Sequence, residues 1–236
     1  MNREALLTQL GNRAQNQLAE LEKQLTHLLG RNLRALVVHG SAARGDYKEG
    51  TSDVDLIVVL TEASAEALRA MSNPLRLASA AARIEAMILV EQEIAHTTDV
   101  FPLFYRDIQE CHVALHGTSP FANLSIHPEH LRLRIEQELR DSQIRLRRAI
   151  VDAPEAFVGA LLRKTKQIRP ALRALLQLRG VAVANDVSAV LRAAGSHFGV
   201  DASPIFSAKE DPARAYATFV KLLDCAISAV DSMEKA

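Results

Sequence analysis

The chain has 236 residues, 48% hydrophobic and 24% charged, which excludes disorder and suits one large domain or two small ones. Lys+Arg and Asp+Glu balance at 28 each, so no net field draws the protein to an anionic membrane, and nucleic acid is not the expected partner. Cys111 and Cys225 are too few for a disulfide framework, the N-terminal MNREALLTQLGNRAQ lacks a signal peptide's apolar core, and no run reaches the ~18 apolar residues of a membrane span. The expectation is a soluble, reduced, cytoplasmic protein with no membrane partner.

Residues 3–29 read as an amphipathic helix, with Leu18, Leu21, Leu25 and Leu28 at spacings of three and four and Gly30 as a stop. The stripe suits packing, within the fold or against a partner helix, which leaves a homodimer open. Then the period changes. Leu33–His39 (LRALVVH) and Val54–Leu60 (VDLIVVL) are compact apolar runs that predict two buried strands. Ala63–Met71 predicts a helix, Asn73-Pro74 a break, and Leu75 to about Met87 a second helical stretch. Thr98–Tyr105 (TDVFPLFY) predicts a third strand, with Pro102 marking an edge or an irregularity, and His112–His116 a short fourth. From His127-Pro128 onward the patterns are helical: one helix to about Val151, one from Pro154 to near Gly180, then Asp186–Ala194 and Pro212–Met233. The expected fold class is α/β (α+β), a small mixed sheet flanked by helices over 1–122, followed by an all-α helical bundle over 123–236.

Side chains alternate along a strand, so Asp53 and Asp55 share a face while Val54 points to the core. Two adjacent carboxylates repel unless a cation neutralises them, and hard oxygen ligands suit Mg²⁺. Such a pair can hold two ions ~3.5–4 Å apart, with phosphate oxygens completing their shells. Gly40-Ser41, eleven residues (42–52) earlier and at the end of the first strand, can supply the phosphate cradle. Ser41 adds a hydroxyl and Arg44 a fixed positive charge. A P-loop is excluded, because Asp46 and Tyr47 stand where Lys and Ser/Thr are required. The D-x-D of a nucleotide-sugar glycosyltransferase would leave Gly40-Ser41 unexplained.

Gly40-Ser41, Arg44-Gly45 and Ser52-Asp53-Val54-Asp55-Leu56, in that order, resemble the signature of the nucleotidyltransferase superfamily related to DNA polymerase β. They are most similar to its minimal and antibiotic-modifying members. The resemblance implies a polymerase-β-like nucleotidyltransferase fold and an enzyme that uses Mg²⁺ (two ions). It would transfer NMP from an NTP, ATP first among them, to a hydroxyl of a small-molecule or protein acceptor, releasing pyrophosphate. It also implies a third carboxylate on a later strand. Asp99, at the start of TDVFPLFY, is the first candidate, and Glu91 and Glu93 are the alternatives. The expected site is then Asp53, Asp55 and Asp99 for catalysis and metal, with Gly40, Ser41 and Arg44 for the nucleotide. The helical half is expected to close the cleft and select the acceptor, with Glu136 or Glu138 as an additional base and Arg163, Lys164, Lys166, Arg169 and Arg173 as a basic face. Two other classes stay in view: a nucleotide-binding regulatory protein whose chemistry has lapsed, and a toxin–antitoxin-type protein that modifies its partner.

Overall fold

The computed structural model describes residues 2–235, so Met1 and Ala236, the outer ends of the two expected domains, lie outside it. The chain divides into two compact units, one ending at Ile126 and the other beginning at His127. Among the described residues no helix is long and apolar enough to cross a membrane.

The first unit is built on a four-stranded mixed sheet of order β3-β2-β1-β4. Its strands are β1 (Leu33–His39), β2 (Val54–Leu60), β3 (Ile84–Val90) and β4 (Val113–Gly117). β1 is antiparallel to both β2 and β4, whereas β2 and β3 are parallel. A parallel neighbour needs a crossover, and α4 (Ala65–Ala82) supplies it. On one face Leu36, Val38, Leu56, Val58 and Ile84 pack against α4 and against the leucines of α1 (Arg3–Gln9) and α2 (Asn12–Leu29). On the other, Val37, Ile57 and Val59 pack with Ile94 of α5 (Glu91–His96), Tyr105 and Ile108 of α6 (Pro102–Glu110), and Phe121.

Four expectations change. The N-terminal helix is two helices, broken where Leu10 and Gly11 are extended; a Cβ at Gly11 would meet Glu49 Oε1 at 1.9 Å, so the break seats the loop before β2. Its stripe closes on Leu29 rather than Leu28, which is 46% exposed. Pro74 does not break α4: Ala70, four residues back, is exposed, so the carbonyl that loses its partner can be hydrated. The largest change concerns the third strand. Ile84–Val90 is a strand and not a helical continuation, while Thr98–Tyr105 is a turn running into α6, with Pro102 at the first helical position where its missing N–H costs nothing.

The second unit is helical: α7 (Pro128–Asp152), α8 (Phe157–Gln167), α9 (Arg169–Leu178), α10 (Val187–Phe198), the short α11 (Ser203–Phe206) and α12 (Pro212–Asp231). Leu131, Ile135 and Leu139 of α7, Leu172 and Leu175 of α9, and Phe219 and Leu222 of α12 are among its fully buried residues. Gly195 stays inside α10, and its missing Cβ admits the Val200 carbonyl, which a side chain there would meet at 2.5 Å. The expected basic face is partly interior: Arg169 is buried against Asn185, and Arg173 donates to the Val183 carbonyl at 3.3 Å.

Leu21 is 2% exposed in the α2 stripe, so Leu21→Ala should cost about 2–5 kcal/mol in chemical denaturation. Leu28→Ala, on the same helix, should stay within about 0.5 kcal/mol of wild type.

Candidate active site

Strand register sets the site. His39 at the end of β1 pairs across to Asp55, the second residue of β2, and Asp55 pairs in turn with Glu85, the second residue of β3. Directly paired residues project to the same face. The imidazole and two carboxylates therefore form a row across three strands, on the face that buries Val37 and Ile57. Asp53 lies two residues before Asp55, at the mouth of the same strand end.

The chain leaves β1 through Gly40, which begins the one-and-a-half-turn helix α3 (Gly40–Arg44). Gly40 has φ +67, and a Cβ built on it would strike Asp55 Oδ2 at 2.0 Å. Glycine is thus required twice, for the backbone conformation and for the approach of the carboxylate. Ser41 is half-buried, and its carbonyl accepts from Asp46 N at 2.9 Å, tightening the turn that leads toward β2.

The charges are unevenly compensated. Asp55 sits above its ordinary carboxylate range, first because it is buried and next because Asp53 is close, with Arg44 pulling the other way. Asp53 Oδ1 accepts from Arg83 Nε at 2.8 Å and lies 2.7 Å from its Nη2 in the same ion pair. Glu85 Oε1 accepts from Ser79 Oγ at 2.8 Å. Arg44 donates to Asp46 at 3.3 Å and to Asp107, on α6, at 3.5 Å. Burial holds His39 down to about 4, outweighing the pull of Asp107, so its ring is neutral at pH 7, edge-on to Phe104 with centroids 5.9 Å apart.

Of the residues expected from sequence, Gly40, Ser41, Asp53 and Asp55 come together at one end of the sheet, and Arg44 lies close enough to act on Asp55. Asp99 does not lie on a strand: it is exposed in the turn between α5 and α6. Glu91 and Glu93 open α5 at the far end of β3, and Glu91 is paired with Arg34 at 2.8 Å. Six residues of strand, about 20 Å, separate Glu91 from Glu85. Glu136 is held by Arg140 and Arg132, whose hydrogen bonds keep it below the usual range, and Glu138 is paired with Arg134. Five residues at the site were missed: His39, Ser79, Arg83, Glu85 and Asp107. Glu85 had a signal, as the second residue of the seven-residue apolar run IEAMILV; Arg83 and Asp107 had none beyond their charge.

Whether a divalent ion suits this corner rests on its donors. Asp53, Asp55 and Glu85 offer oxygen alone, on two adjacent strands, and the raised Asp55 marks a place short of positive charge. As they stand, no three His, Cys, Asp or Glu among the described residues converge on one point. Asp53 is turned to Arg83 and Glu85 to Ser79. The residue set fits a hard cation once those side chains rotate.

Two measurements check this geometry. Gly40→Ala should lower the thermal midpoint, because the new methyl has neither φ nor space. His39 binds a proton more weakly folded (about 4) than unfolded (6.5), so the fold loses stability as pH falls through that window, on the order of 3 kcal/mol by pH 4. Asp55, raised in the fold, works in the opposite sense, so the readout is the difference between wild type and His39→Gln, whose acid sensitivity should be smaller by that amount.

Residues 18–115 match the model of the nucleotidyltransferase domain family. None of the curated proteins matches the chain significantly. Among solved structures the chain is similar to spectinomycin adenyltransferase AAD(9) from Enterococcus faecialis, determined with ATP and spectinomycin. The two share 15% identity at a TM-score of 0.50, over 89% of this chain and 98% of that one, a likeness of fold. The match to the nucleotidyltransferase domain family thus spans α2 to β4 of the first unit, and the likeness to the solved adenyltransferase is one of fold.

Proposed function

We propose that this protein transfers the nucleoside monophosphate of an NTP, ATP by preference, to a hydroxyl of a small-molecule acceptor of the aminocyclitol or aminoglycoside type, releasing pyrophosphate. One observation carries the reading: a glycine turn pressed against Asp55, with Asp53 beside it and Glu85 in register on the next strand. The ATP and antibiotic found with the structural neighbour support the choice of donor and acceptor.

In this reading Asp53 and Asp55 would hold divalent ions, Mg²⁺ first, which neutralise phosphate charge when bound. Gly40 and Ser41 receive the phosphates through backbone N–H and hydroxyl, and Arg44, fixed between Asp46 and Asp107, faces them with a charge it need not reorganise. Glu85 takes the proton of the attacking hydroxyl, a role moved here from Asp99 because Glu85 occupies the strand beside Asp55. His39, neutral and next to the turn, offers a hydrogen bond without adding charge.

The test is incubation of the full chain with Mg²⁺, α-labelled ATP and spectinomycin or an aminoglycoside panel, reading label on the acceptor and pyrophosphate release. Asp55→Asn should abolish both. Glu85→Gln should slow transfer by about 10²–10⁴-fold while leaving nucleotide binding in place. Nucleotide binding with no pyrophosphate released for any acceptor would replace the enzyme with a nucleotide-sensing protein, and label on a protein band would replace the small acceptor with a protein.

A further inference from the structure

The last turn of α4 meets the acids of the site twice. Arg83 places Nη2 and Nε on Asp53 Oδ1, at 2.7 and 2.8 Å, and Ser79 Oγ donates to Glu85 at 2.8 Å. The Arg83 carbonyl also accepts from Val54 N at 2.9 Å, so its backbone and its guanidinium both bind the residues that open β2. Arg83 itself is left-handed, at φ 53 and ψ 40, and among the described residues no other non-glycine has a positive φ. Helices commonly end on such a residue, but glycine usually fills it, because a Cβ is strained there. Here the chain keeps an arginine where the backbone favours glycine, and the guanidinium goes to a carboxylate of the site. A strained residue at such a place is a pointer to function.

We propose that Arg83 is the built-in counter-cation of Asp53: it neutralises that carboxylate while no divalent ion is bound, and competes with the ion for it. Arg83 is then a positioning residue acting through Asp53, and the inference rests on the metal-holding role proposed above for Asp53 and Asp55. The pair is suited to exchange. Arg83 and Asp53 are 54% and 46% exposed, and ion pairs this open are weak and screened by salt. A buried pair would lock the carboxylate; this one orders it and lets it go. Ser79 does the same for Glu85 with a neutral hydroxyl, so both outer acids are held aside until a ligand brings positive charge.

The experiment titrates Mn²⁺ into the chelator-treated full chain without nucleotide, reading bound ion from the loss of the free-ion electron paramagnetic resonance signal. Arg83→Gln and Arg83→Gly should each bind Mn²⁺ roughly two- to five-fold tighter than wild type, the equivalent of losing one exposed competing pair. Arg83→Gly, relieved of backbone strain, should melt no lower than wild type. Lys48→Gln removes the same charge from the loop before β2 without touching Asp53, and should leave Mn²⁺ affinity nearly unchanged. Unaltered or weaker Mn²⁺ binding in both Arg83 variants overturns the proposal, as does an equal gain in Lys48→Gln, which would mean a general charge effect. A wild type whose Mn²⁺ binding is absent, or insensitive to Asp53→Asn and Asp55→Asn, removes the metal site itself and this inference with it.

Discussion

The close contact of Gly40 with Asp55 is the constraint on which the rest of the site depends. The β1–β2 pairing sets His39 opposite Asp55, so the residue after His39 must turn away directly over the Asp55 carboxylate. Any side chain at that position would occupy the space of the oxygen it faces. The turn therefore delivers backbone N–H groups beside a carboxylate without a layer of side chain between them. Phosphate and cation want opposite surroundings, and in the proposed reaction this contact would let one strand end serve both. Three features cooperate: a strand followed directly by glycine, a short helix that turns the chain, and a second strand whose second residue is acidic.

Burial then makes the arrangement hungry for charge. Asp55 is raised because water is excluded from it and because Asp53 is near, and Arg44 compensates incompletely since it also serves Asp46 and Asp107. The protein meets the shortfall from outside the sheet. Arg83 reaches Asp53 from the end of α4, and Ser79 reaches Glu85 from the same turn. The crossover helix, needed in any case to bring β3 parallel to β2, thus also holds the outer acids.

β1 and β2 were legible because each is an apolar run bounded by turn residues, and the order Gly-Ser, spacer, Asp-x-Asp carries geometry in its spacing. β3 was not, because Leu75–Met87 offers helical spacing up to Ala82, and the change to a strand turns on Arg83 adopting a conformation that sequence assigns to glycine. With the strand hidden, Glu85 was hidden too, and the third acid was sought on the next apolar run. That run, TDVFPLFY, is apolar at its end because α6 buries Leu103, Tyr105 and, beyond it, Ile108 on one face, a spacing that a short window cannot tell from a strand. Pro102 was the clue, since proline suits a first helical turn better than a strand interior.

Sheet order also suggests why the acids would divide their work in the proposed reaction. Asp55 lies on an inner strand, flanked on both sides and half-closed from water, where a carboxylate serves best as a fixed ligand. Glu85 lies on the edge strand and is exposed, where an acceptor can arrive from solvent and leave again. A base must meet a changing partner at each turnover, whereas Asp55, as the buried ligand, would keep one position. Placing the two in register on neighbouring strands keeps them at a strand's spacing, about 5 Å between backbones. The difference in burial between an inner and an edge strand would then supply the proposed difference in role without any further device.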